Sequence, residues 1–314
     1  MSNLLDISIV IPVFNSDKNL EELITNLKLN LEKNYSSFEI ILVDDCSTDS
    51  SWKIISEICD KYNFVKAILL RKNSGQHNAI FAGLRYTNGR LIITMDDDGQ
   101  NSPEDIVLLT NIVNLGCDVC YANYKIKKHN FFRKFGSFLN NIVASFLFNK
   151  PFELILTGFR CFTNEIKDEI LKTNSHSIYL DGIIFSITKS IKNEFVQHKR
   201  RIYGNSNYSI YKLFNLWLQM ATGFSILPLR ISSMLGFVFS IFSFLVALWI
   251  VFFREINSDI PLGWTSLVVI IVFFGGIQLM ALGLIGEYVG RTFLTANKSP
   301  RYSEKQKLNI KHND

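Results

Sequence analysis

Three adjacent carboxylates, Asp96-Asp97-Asp98, run directly into Gly99-Gln100. Like charges this close repel unless a cation or hydrogen-bond donors compensate them. In extended backbone, residues i and i+2 point the same way. Asp96 and Asp98 therefore converge on one ion, and Asp97 faces away. Hard oxygen ligands suit Mg²⁺ or Mn²⁺, ions that bridge carboxylates to phosphates. The competing reading is a solvated acidic turn, or a cap for the helix after Pro103. A position at the end of an apolar strand, with matching signals nearby, favours the ligand reading. Asp44-Asp45 ends another apolar run and is followed by Cys46-Ser47-Thr48-Asp49. Ser47, Thr48 and Asp49 are good helix caps, while the carboxylate pair suits the base or ribose of a nucleotide. Asn73-Ser74-Gly75-Gln76-His77-Asn78-Ala79 opens a helix in which Ala79 and Gly83 stand four apart. Small residues there allow close approach to a sheet or a nucleotide, and His77 reads as a surface histidine.

Basic chemistry comes later in the chain. Arg160 closes Thr157-Gly158-Phe159-Arg160, and Lys199-Arg200-Arg201 precedes Tyr203-Gly204-Asn205-Ser206-Asn207-Tyr208. A cationic cluster ahead of an amphipathic stretch suits an anionic lipid headgroup, and arginine grips phosphate with two donors; plain positive flanking of a membrane segment is the alternative. Asp181 is a candidate base if the acceptor is a sugar hydroxyl. Cys117-Asp118-Val119-Cys120 is a single CxxC without a second pair and supports zinc only weakly.

Alternating elements must position these groups. Apolar runs at 7–12, 38–43, 65–70 and 91–95 read as strands, the first stopped by Pro12. Helical spacing occupies 20–31, 52–62 and 78–86. Such alternation predicts an α/β domain with a mostly parallel sheet covered on both faces. In these sheets ligands sit beyond the carboxyl ends of the strands, where both acidic clusters fall.

The chain has 314 residues, is 48% hydrophobic and 19% charged, and has a mean hydropathy of +0.17. That excludes a disordered chain and points to membrane segments. A net charge of +5 does not argue for nucleic acid. Five scattered cysteines (46, 59, 117, 120 and 161) suit a reducing compartment better than a disulfide framework. Ile231–Phe253 and Leu262–Gly286 are 23 and 25 residues without a charge. The shorter run spans about 34 Å as a helix, enough for a bilayer core. Basic residues crowd the outer flanks (Lys199, Arg200, Arg201, Lys212 and Arg230 before; Arg291, Lys298, Arg301, Lys305 and Lys307 after). The intervening loop 254–261 is mixed in sign. The positive-inside rule then places 1–230 and the tail 287–314 in the cytosol and the loop outside, in a multi-pass protein of the cytoplasmic membrane. Stretches 131–150 and 208–227 read as amphipathic helices lying in the membrane interface.

In order, Ile9-Val10-Ile11-Pro12-Val13-Phe14-Asn15, Ile41-Leu42-Val43-Asp44-Asp45, Asn73-x-Gly75-x-x-x-Ala79-x-x-x-Gly83 and Asp96-x-Asp98-x-Gln100 resemble the family 2 glycosyltransferases of the GT-A (Rossmann-like) fold. Arg201-x-x-Gly204-x-Ser206-x-Tyr208, Pro228-Leu229-Arg230 and Gly283–Arg291 resemble those family members with two C-terminal spans that act on polyprenyl phosphate. The resemblance implies a nucleotide-sugar donor, with UDP expected, a polyprenyl (undecaprenyl) phosphate acceptor and a divalent cofactor, Mg²⁺ or Mn²⁺. It implies nucleotide contacts from Pro12, Phe14, Asp44, Asp45, Asp97 and Gln100. Asp96, Asp98 and Gln100 would hold metal and diphosphate; Arg160, Arg201 and Ser206 would hold the acceptor phosphate. A homo-oligomer is compatible with it. Two other readings stay open: a transferase extending a surface polysaccharide, with Asp181 as base, and a non-catalytic membrane scaffold, which the intact Asp96-x-Asp98 argues against.

Overall fold

The computed structural model describes residues 4–124, 154–173, 179–196, 263–297 and 300–310, with isolated positions between 234 and 245. The chain forms two compact units, residues 1–209 with 300–314, and residues 210–299.

In the first unit, β1 (Leu5–Val13), α1 (Leu20–Asn34), β2 (Phe38–Asp44), α2 (Ser51–Lys61), β3 (Val65–Leu70), α3 (Gln76–Leu84) and β4 (Gly89–Thr94) alternate as expected. α4 (Asp105–Asn114), β5 (Val119–Tyr124), β6 (Arg160–Thr163), α5 (Asn164–Leu171), α6 (Leu180–Ile187) and β7 (Ile191–Val196) follow. β1, β2, β3 and β4 are buried along nearly their whole length, the pattern of strands covered on both faces. With β8 (Glu304–Leu308) from the tail, the eight-stranded sheet has the order β7-β5-β6-β4-β1-β2-β3-β8. β1 pairs in parallel with β2 and β4, and β2 with β3. β6 runs antiparallel between β4 and β5.

β1 does not stop at Pro12. It runs to Val13, because its ladder with β4 ends at Val10↔Thr94 while pairing with β2 continues through Pro12↔Val43. Beyond Val10 one side of the strand makes no demand on the missing proline N–H. Leu20, Leu23, Ile24, Leu27 and Leu31 form the buried stripe of α1, spaced for one helical face. α3 lies close on the sheet. A Cβ at Gly83 would stand 2.6 Å from Val10 Cγ1 and 2.9 Å from Val43 Cγ2, so the small residues at 79 and 83 serve close packing.

The tail after residue 300 carries structure that periodicity did not announce. β8 (Glu304–Leu308) adds antiparallel to the edge of β3. Asn309 Nδ2 donates to the carbonyls of Cys59 (2.8 Å) and Val65 (2.9 Å), fastening the strand to the end of α2 and the start of β3.

In the second unit, α7 (Trp264–Ala296) is 33 residues long, about 50 Å at 1.5 Å per residue. It covers the second expected span from its third residue and continues ten residues beyond Gly286. Counted over the described residues, no helix is long and apolar enough to cross a membrane. The transmembrane hairpin is therefore not shown. Most of 231–253, the loop 254–261 and the interface stretches 131–150 and 208–227 lie outside the described residues.

Candidate active site

Parallel pairing brings the ends of β1, β2 and β4 to one edge of the sheet. Asp45 N donates to Val13 O (2.9 Å), and Met95 N to Val10 O (3.2 Å). The turn after β4 thus lies beside the turn after β1, with the turn after β2 on its other side.

Asp97 turns toward β1, away from its acidic neighbours. Its Oδ2 accepts from Phe14 N (3.3 Å) and Ser16 Oγ (2.5 Å). Burial pushes its carboxyl up to about 6; the two hydrogen bonds oppose that shift, and the charges of Asp96 and Asp98 add to it. Asp96 Oδ1 accepts from Gln76 Nε2 (2.6 Å) at the start of α3. A Cβ at Gly158 would lie 2.9 Å from both Asp96 carboxylate oxygens, so only glycine leaves this carboxylate its place. Asp98 Oδ1 accepts from Gln100 N (3.1 Å), closing the acidic turn. Nearby Tyr124, whose hydroxyl donates to Asn101 Oδ1, has its pKa raised by burial and then by Asp96 and Asp98.

Among the described residues no three His, Cys, Asp or Glu side chains are grouped to hold a metal by themselves. Asp96 and Asp98 nonetheless supply hard oxygen donors within one turn, a set that fits Mg²⁺ or Mn²⁺ once the oxygens of a diphosphate complete it.

The Asp44/Asp45 pair divides its work. Asp45 Oδ1 accepts from Ser74 N (2.7 Å) and Oδ2 from Gly75 N (2.8 Å), which holds the turn into α3. Gly75 has φ +88°, a left-handed conformation natural to glycine. Asp44 Oδ1 accepts from Ser47 N (2.6 Å), but its Oδ2 is buried with no hydrogen-bond partner among the described residues. Burial raises the pKa of both carboxyls. Phe14 is 47% exposed at the rim, while Pro12 is buried.

Arg160 and Asp181 meet in the interior. Arg160 is 1% exposed, and its Nη1 pairs with Asp181 Oδ1 at the start of α6. Its Nε donates to Thr94 Oγ1 (3.0 Å), and Tyr121 OH donates to Asp181 Oδ1 (2.8 Å). The register Thr94↔Arg160↔Tyr121 across β4, β6 and β5 assembles this group. A buried guanidinium already offset by a carboxylate differs from the open phosphate grip expected of Arg160. Arg201 and Ser206 lie outside the described residues.

His77 is no free surface side chain. Its ring meets Tyr179 edge-on at 5.1 Å, and its Nδ1 is buried with no partner among the described residues. Burial, the largest cause, lowers its pKa to about 4; Asp181 opposes the shift and Arg160 adds to it. Sequence reasoning gave no role to Gln76, Thr94, Tyr121, Gly158 and Tyr179. Gln76 was findable, since it follows the glycine of the small-residue motif. Thr94 and Tyr121 reach the site only through strand register, which no local pattern reveals.

Residues 8–173 match the family described as glycosyl transferase family 2. The chain belongs to this family. It is 32% identical over 308 residues, 97% of this chain and 94% of the other, to undecaprenyl-phosphate 4-deoxy-4-formamido-L-arabinose transferase of Proteus mirabilis. It is 33% identical to the protein of that name from Yersinia pestis, over 94% of this chain and 91% of the other. Its fold matches glucosyl-3-phosphoglycerate synthase of Mycobacterium tuberculosis, solved with Mn²⁺, UDP and phosphoglyceric acid. There the TM-score is 0.52 and identity 16%, over 69% of this chain and 76% of the other. The family membership makes the protein a glycosyltransferase, and the neighbour supports the GT-A-like sheet.

Proposed function

We infer that this glycosyltransferase moves a sugar from a nucleotide-sugar, read as a UDP-sugar, to undecaprenyl or a related polyprenyl phosphate on the cytosolic face of the cytoplasmic membrane. The observation that carries the reading is the extent of the likeness. Relatives named for undecaprenyl phosphate match 97% of this chain, well past the residues 8–173 that the family description covers. The exposed apolar side chains of α7, among them Leu267, Ile271, Leu279, Leu282 and Phe293, support its placement in lipid, as do the basic outer flanks. In this reading residues 1–230 are the catalytic domain, 231–253 and 262–286 the spans, 254–261 the outer loop, and 287–314 the inner tail.

The acceptor phosphate oxygen attacks the anomeric carbon, and the nucleoside diphosphate leaves from the opposite face with inversion. A phosphate monoester carries roughly −1.5 to −2 charge at pH 7, so it needs no strong base. That accords with Asp181 being 7% exposed and engaged by Arg160 and Tyr121. Asp44 Oδ2 offers a buried acceptor for the base or ribose, and Phe14 an apolar face at the rim. Asp96 and Asp98 would hold the divalent ion, which would offset charge on the departing diphosphate. Arg160 is buried against Asp181, which leaves Arg201 and Ser206 as the acceptor-phosphate contacts of this reading.

The test is incubation of the purified full chain with Mn²⁺, undecaprenyl phosphate and a panel of UDP-sugars, followed by mass spectrometry of the lipid. A glycosylated phospholipid product formed only without EDTA is the expected result. Transfer to a saccharide hydroxyl alone would replace the lipid acceptor with a surface polysaccharide.

A further inference from the structure

His77 lies where two clusters meet. Its chain neighbour Gln76 holds Asp96, on the diphosphate side of the proposed site. Its ring packs against Tyr179, two residues before Asp181, which Arg160 and Tyr121 hold. A donor whose diphosphate meets Asp96 carries its sugar on the adjoining bond, next to the residue that follows Gln76.

The tautomer follows from burial. Nδ1 is buried without a partner among the described residues. An orphaned buried N–H is rarer than an under-satisfied acceptor, so the proton belongs on Nε2. With its pKa lowered to about 4 by burial, the ring is neutral near pH 7 and presents one N–H donor. A neutral donor suits a hydroxyl or carbonyl oxygen, whereas a diphosphate is better served by cations.

Building on the donor reading above, we propose that His77 is a specificity-determining residue that donates from Nε2 to a polar oxygen of the transferred sugar, with Tyr179 holding the ring in place. A site built to bond such an oxygen rejects analogues that lack it more strongly than an apolar pocket rejects an added group.

Three variants separate donation from packing. His77→Phe keeps an aromatic ring against Tyr179 and removes the donor. His77→Gln places an amide N–H near the position of Nε2. His77→Ala removes both. Affinities for UDP alone and for each UDP-sugar of the panel, with Mn²⁺, are measured by calorimetry on the full chain beside the lipid assay. His77→Phe and His77→Ala should weaken the UDP-sugar that the parent uses by about 3- to 10-fold, one neutral hydrogen bond. UDP itself should change less than about twofold, well below one such bond, and His77→Gln should recover part of the loss. Equal losses for UDP and UDP-sugar would assign His77 to the nucleotide and overturn the proposal. Full retention in His77→Phe would make the ring a packing element and overturn it too. If the parent binds UDP-sugars and responds as expected but glycosylates no lipid, the acceptor reading fails and the proposal stands. If the parent binds no UDP-sugar of the panel, the donor reading fails and takes the proposal with it.

Discussion

At the carboxyl end of β2, Asp45 engages both oxygens with backbone N–H groups, whereas Asp44 Oδ2 is buried with no partner among the described residues. The two adjacent carboxylates therefore predict opposite phenotypes. Asp45→Ala leaves the N–H groups of Ser74 and Gly75 without acceptors and should cost about 1–3 kcal/mol, read as a lowered Tm. Asp44→Asn keeps an acceptor for Ser47 N and should leave Tm nearly unchanged while weakening UDP binding in calorimetry. His77 adds a pH dependence. Its folded pKa of about 4 lies below an ordinary histidine's 6.5, so the unfolded chain binds more protons between these values. Stability is then full above about pH 6.5 and falls as pH drops toward 4. Among the described residues, Tyr179, Asp181 and Arg160 are ionisable groups that act on the ring. Thermal melts of the parent and His77→Gln across pH 4–7 should differ in slope, the parent being steeper.

Among the elements, the end of the sheet opposite the site is pinned by a buried polar group. Glu39 on β2 is 2% exposed. It accepts from Ser8 Oγ (2.6 Å) and Asn88 N (2.5 Å) and pairs with Lys66 Nζ (2.5 Å), tying β1, β3 and the turn into β4 together. Removing one partner of such a cluster leaves the others unsatisfied, so Glu39→Ala should lose about 3–5 kcal/mol, measured by urea denaturation. β8 protects the other vulnerable feature, the edge of β3, which would otherwise offer unpaired backbone groups. Asn309→Ala removes the amide that bridges Cys59 O and Val65 O. It should cost about 1–3 kcal/mol, with faster amide exchange confined to β8 and β3.

For the whole molecule, the proposed topology makes a labelling prediction. The native cysteines all lie in the first unit, four of them buried and Cys46 half-buried. In intact cells, Ser258→Cys in the proposed outer loop should react with an impermeant thiol reagent. Ser303→Cys, next to β8, should react only after lysis. The reverse pattern would invert the positive-inside assignment.

The alternating strands, the acidic residues at their ends and the family itself were legible in linear order, because apolar periodicity and motif spacing are local properties of a chain. The same holds for Gly83, whose smallness announced a close approach that Val10 and Val43 confirm. What local pattern could not supply was pairing between distant segments. Arg160 carries a positive charge in any reading of the sequence. Only the antiparallel insertion of β6 between β4 and β5 sets it against Thr94, Tyr121 and Asp181 and makes it an interior partner of a carboxylate. His77 likewise looks solvent-facing until α6 brings Tyr179 across its ring. β8 has no strong periodicity, since Glu304–Leu308 is charged or polar at every residue but the last; the open edge of β3 makes it a strand. Each of these outcomes depends on contacts between residues far apart in the chain, and such contacts exist only once the sheet has closed around them.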